Sequence, residues 1–135
     1  MDMATFVVQF SAPNELPSTF DGRYFRVPYT VVEREHFDTP RQSVHTAHSC
    51  VNVKVSGSAL AVLHLDDSAL AKVVYQIAKE HLQQLAGSGG SLAKESTVSY
   101  NSSGADQFDI AKIEVPEGAL MVVDVHHPIG FISGG

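Results

Sequence analysis

The chain of 135 residues has the usual length of one domain, enough to bury about two-thirds of the surface its unfolded form exposes. Its 44% hydrophobic and 18% charged residues are ordinary for a globular protein and exclude the low-hydrophobicity, high-charge composition of a disordered chain. Nine Lys and Arg against fifteen Asp and Glu give a net charge of -6, with the basic residues scattered, which argues against nucleic acid or an anionic membrane as partner. No apolar run approaches the roughly 18 residues that span a bilayer, and Met1-Asp2-Met3-Ala4 lacks the basic start and apolar stretch of a signal peptide. The lone Cys50 cannot form an internal disulfide. These features predict a single soluble, cytoplasmic domain over 1–135.

In chain order, Thr5 to Phe10 reads as a strand, ended by a loop containing Pro13, Asn14 and Pro17. Asp21-Gly22 then introduces Arg23 to Arg34, rich in Tyr, Phe, Val and Thr, where Pro28 predicts an edge strand or a split. His36 to His48 shows no period and reads as loop. Val51, Val53 and Val55 alternate with Asn52, Lys54 and Ser56, the pattern of a half-buried strand. After Ser56-Gly57-Ser58, residues 59 to 65 read as a second strand closing an antiparallel hairpin.

Asp66 and Asp67 are N-cap residues for a helix over about 67–86. Leu70, Val73, Val74, Ile77, His81, Leu82 and Leu85 recur at three- and four-residue steps on its apolar side. Gly87 is placed to end it in a left-handed conformation. Ser96 to Tyr100, Phe108 to Val115 and Ala119 to Val125 read as strands, with Pro116-Glu117-Gly118 turning between the last two and 126–135 an exposed tail. The predicted class is α+β, a mostly antiparallel sheet packed on one long amphipathic helix.

Residues able to carry chemistry are dispersed. Seven histidines include His45 and His48, three apart, and His126, which by alternation shares a strand face with Asp124, a set that offers a metal site. No second metal-binding element accompanies them, and neither a Gly-x-Ser-x-Gly nucleophile elbow nor the Lys-Ser/Thr of a phosphate loop is present. Cys50 falls on the opposite strand face from Val51, Val53 and Val55 and reads as a small buried thiol rather than a nucleophile, and His81 as a boundary residue of the core. Gly87-Ser-Gly-Gly-Ser91 follows a helix and reads as a hinge.

The order hairpin, amphipathic helix, further strands and a tail ending in Gly134-Gly135 resembles the β-grasp domains of ubiquitin-like modifiers and small sulfur carriers, over the last 85 or so positions. That resemblance implies activation of the chain at the terminal carboxylate by an adenylating enzyme, and nothing beyond Gly134 and Gly135 matches a motif of the family. The residues themselves favour a non-enzymatic protein acting through protein–protein contacts, as an assembly subunit, adaptor or inhibitor, with self-association an equal form of the same idea. Tyr24, Phe25, Tyr29, Phe37 and Phe131, expected in loops or edge strands, are the candidate anchors. A histidine-ligated metal enzyme is the third reading, and no cofactor is expected.

Overall fold

Alternating apolar residues build a sheet with one greasy face, and two helices cover that face. The structure, a computed structural model, describes residues 3–35, 43–101 and 120–126, with side chains described over 6–32 and 46–101. In chain order the elements are β1 (Met3–Phe10), β2 (Asn14–Leu16), β3 (Gly22–Glu35), β4 (Ser43–Ser56), α1 (Gly57–Leu63), α2 (Asp67–Gly87), β5 (Ser96–Tyr100) and β6 (Leu120–His126). The sheet runs β5-β4-β3-β1-β6, with the short β2 added to β3. Its described pairings are antiparallel except β4 with β5, which the helices connect in parallel. This is an α+β fold. Among the described residues no helix is long and apolar enough to cross a membrane.

The core is one cluster. Phe6, Val8 and Phe10 of β1, Phe25, Val27, Tyr29 and Val31 of β3, and Val51, Val53 and Val55 of β4 face Leu70, Val73, Val74, Tyr75, Ile77, Ala78, Leu82 and Ala86 of α2. The predicted helical stripe therefore meets the predicted strand stripe. Tyr75 completes the stripe, its ring edge-on to Phe10 at 5.1 Å between centroids, while His81 and Leu85 sit half-buried at the margin.

Several boundaries differ from expectation, each for a local reason. Residues 59–65 are not a strand: Gly57–Leu63 is helical, so no hairpin forms at 51–65 and the β-grasp likeness loses its first element. Ser56 caps this helix by accepting the Ala59 N–H at 3.1 Å, and the run Ala-Leu-Ala-Val-Leu is made mostly of good helix formers. A short apolar run has no period that separates the two states.

β3 is neither split nor at an edge: it is continuous through Pro28 between β4 and the β1–β2 pair. The Pro28 carbonyl accepts the Ser11 N–H at 2.9 Å, and in a strand a residue's N–H and C=O point the same way. The donor that Pro28 lacks would therefore face the gap where β1 hands over to β2, so no ladder bond with β4 is lost. The loop expected to reach His48 ends earlier, since β4 begins at Ser43, and Asn14–Leu16 within the predicted first loop pairs with β3.

The end of α2 also shifts. Gly89, at φ 85, takes the left-handed position expected of Gly87. The Gly90 N–H reaches the Leu85 carbonyl at 2.8 Å and the Gly89 N–H the Ala86 carbonyl at 3.2 Å, the paired bonds of a Schellman cap. Asp66 caps the other end as predicted, accepting the Ala69 N–H at 2.8 Å. His126, assigned to a tail, is the last residue of β6 and pairs with Met3 of β1. The strand expected at 108–115, the turn at 116–118 and the tail residues 127–135 lie outside the described residues.

Candidate functional site

The period-two rule that turns Phe25, Val27 and Tyr29 toward the helices turns Tyr24, Arg26, Pro28 and Thr30 to the other face of the sheet. The β3–β4 register sets Lys54, Asn52, Cys50 and His48 opposite these four in turn. The result is a row of four cross-strand pairs on the face away from the helices, with Arg26 and His48 solvent-exposed.

At one end of the row is a groove of about 490 Å³ lined by Pro17, Ser18, Thr19, Phe20, Tyr24 and Lys54. The Phe20 and Tyr24 rings meet edge to face, 6.5 Å apart at 90°. The Lys54 ammonium stands 5.9 Å from the Phe20 centroid and 5.8 Å from that of Tyr24, within cation–π range of both. Two local devices place Phe20. Ser18 Oγ accepts the Phe20 N–H at 3.2 Å, and Gly22, at φ 148, lets the chain turn into β3 against the Val55 carbonyl, where no Cβ fits.

The middle of the row is a polar network around Asn52, which is 1% exposed. Its Oδ1 accepts from Arg26 Nε at 3.3 Å and lies 4.0 Å from the Cys50 Sγ, while its Nδ2 donates to Glu95 at 2.6 Å. Burial, reinforced by the Glu95 charge, pushes the Cys50 thiol up, so it stays protonated and is a poor nucleophile. At the far end Thr30 Oγ1 and His48 Nδ1 are 3.1 Å apart.

Among the described residues the helix side holds two further concavities. One, of about 420 Å³, lies between α1, the start of α2 and Arg23. Its guanidinium is already bound, to Glu15 at 2.5 and 3.0 Å and to Asp67 at 3.0 Å, which ties β2, β3 and α2 together. The Arg23 hydrogen bonds hold the Glu15 carboxyl below its ordinary range. The other, of about 140 Å³, lies between α2 and β5 beside His81, whose Nε2 is buried without a partner among the described residues and whose pKa burial lowers.

The sequence-predicted residues separate clearly. Tyr24 lines the groove. Phe25 and Tyr29, expected on loops or edges, are instead 6% and 2% exposed on the helix face of a central strand. There the Tyr29 hydroxyl donates to the Leu92 carbonyl at 2.6 Å and fastens the connection after α2 to the sheet. His45 and His48 lie on β4 and His126 on β6, and β3 and β1 separate the two strands, a backbone gap of about 14 Å at normal strand spacing. Among the described residues no three His, Cys, Asp or Glu side chains lie together as metal ligands would. Phe37, Phe131, Gly134 and Gly135 lie outside the described residues.

Sequence reading overlooked Phe20, Lys54, Arg26, Asn52 and Glu95. Lys54 and Asn52 were visible only as the polar half of an alternating strand, and their partners Tyr24 and Arg26 follow only once the β3–β4 register is known. No protein-family model, curated protein or solved structure matches the chain.

Proposed function

We propose that this chain is a non-enzymatic protein that works through protein–protein contacts, as an assembly subunit, adaptor or inhibitor, and that it makes them with the sheet face away from the helices. The observation that carries the reading is the Phe20–Tyr24–Lys54 groove: a pre-formed aromatic and cationic surface, fixed by a serine turn and a glycine, on a face whose reactive residue types are occupied otherwise. Aromatic side chains such as Tyr24 and Phe20 are among the residue types that anchor interfaces, and Lys54, a type otherwise depleted there, is held against their rings. Cys50 holds its proton, and Asn52 and Glu95 serve each other, so the same face offers a contact surface rather than a nucleophile and base.

The test is site-specific photo-cross-linking in the source cell, with a benzophenone amino acid at Thr30 or Thr97 on the proposed face and at Gln83 on the outer side of α2. The reading predicts a discrete adduct, to another protein or to a second copy, from the first two positions and none from Gln83. Adducts from Gln83 alone, or none from the proposed face, would overturn it.

A further inference from the structure

We infer, building on that reading, that the groove binds an acidic peptide segment in which an Asp or Glu carboxylate adjoins an aromatic, aliphatic or prolyl side chain. Two features of the charge distribution fix the chemistry. Arg23 on the helix side is saturated by two carboxylates, whereas neither Lys54 nor Arg26 is ion-paired among the described residues. Both cations stand on the same sheet face in successive cross-strand pairs, Tyr24 with Lys54 and Arg26 with Asn52, so their backbones are about 7 Å apart along the strands.

In a chain of net charge -6, two neighbouring cations that form no ion pair among the described residues give this end of the face positive charge, with the Glu95 carboxylate held by Asn52 on the side of Arg26. A carboxylate approaching this end of the face meets an ammonium already held in place by two rings, so little side-chain freedom is lost on binding. The rings and Pro17 define the rest of the occupant. Phe20 and Tyr24 present a step of apolar surface, and a volume of about 490 Å³ accommodates one or two side chains rather than a folded domain. An anionic head with an apolar neighbour satisfies both halves of the site. A single nucleic-acid strand has similar elements, phosphate and base, but would bring a dense negative charge against a chain that is itself acidic.

The experiment selects a displayed library of random heptapeptides on the full chain, then measures the enriched peptide by fluorescence anisotropy. The expected consensus contains Asp or Glu next to an apolar residue. Lys54→Glu should weaken binding about tenfold or more, Lys54→Gln less, and Tyr24→Ala by a similar factor, while Gln83→Glu leaves it unchanged. Replacing the peptide's acid by Lys should restore part of the affinity for Lys54→Glu. Circular dichroism melts confirm that each variant folds, and Lys54→Gln serves if Lys54→Glu does not.

A consensus without an acid, no consensus, or binding indifferent to Lys54→Gln and Tyr24→Ala overturns the inference. Tighter binding of a labelled oligo-dT strand, sensitive to the same variants, overturns it in favour of nucleic acid. The two readings fail separately. Cross-links from Thr30 that persist in Lys54→Glu leave the interaction face standing and remove the acidic peptide. Peptide binding with no cross-link from the face does the reverse.

Discussion

Replacing Asn52 by Asp tests the polar network with almost no change of shape. Oδ1 would still accept from Arg26, but the other oxygen would face Glu95 across the present 2.6 Å hydrogen bond, turning a donor–acceptor contact into two facing acceptors. The new carboxylate is buried, since Asn52 is 1% exposed, and burial and the Glu95 charge raise its folded pKa above the unfolded value of about 3.9, opposed by the long 3.3 Å bond from Arg26, whose exposed guanidinium is screened by water. Glu95 is exposed and can turn to water, so the cost is bounded by one lost charged hydrogen bond and the desolvation of Asp, about 2–4 kcal/mol at pH 7. The sign follows from linkage: a group with a raised folded pKa leaves the fold intact below the unfolded pKa and weakens it as pH rises through the folded one. Urea unfolding of variant and wild type, each at several values between pH 4 and 8, should show a deficit that is small at pH 4 and grows toward pH 7. Asn52→Leu should show a deficit nearly independent of pH. An Asn52→Asp protein as stable as wild type at pH 7, or a deficit that does not change with pH, would refute the network.

Three further outcomes follow from single contacts. Gly22→Ala should destabilise the fold by more than 1 kcal/mol in the same unfolding assay, because φ is 148° and a Cβ would run into the Val55 carbonyl. Asp66→Ala should cost about 1 kcal/mol by removing the N-cap of α2, and Asp66→Asn should recover most of it. Burial lowers the pKa of His81 in the fold, so the folded state resists its protonation and stability is lost as pH falls below about 6.5; His81→Gln should reduce that slope in thermal melts between pH 5 and 7, with Glu80 beside it unchanged.

Where the chain obeys a long, clean period its structure is readable from the residues. The 21-residue α2, its Asp66 cap and the stripe from Leu70 to Leu82 follow directly from three- and four-residue spacing, and Val51, Val53 and Val55 from alternation. The class, a mostly antiparallel sheet on an amphipathic helix, rests on those two patterns. Where a segment is short, local patterns conflict and capping decides. Ala59 to Leu65 carries no period, and only the Ser56 hydroxyl on the Ala59 N–H and the left-handed His64 at φ 49 close it as a helix. Pro28 is legal in a central strand because of what lies beside it, a non-local fact that no residue rule contains. The groove was hidden for the same reason. Tyr24 was a candidate by type, but Phe20, Lys54 and Arg26 become one surface only through the register of two strands 30 residues apart at the Tyr24–Lys54 pair.

The most direct measurement is amide chemical-shift mapping of the labelled chain titrated with its cross-linked partner or with the selected acidic peptide. The account predicts that the largest shifts cluster at Phe20, Tyr24, Arg26 and Lys54 on the sheet face away from the helices. Shifts concentrated instead on the outer side of α2, at Lys72, Gln76 and Gln83, would contradict it.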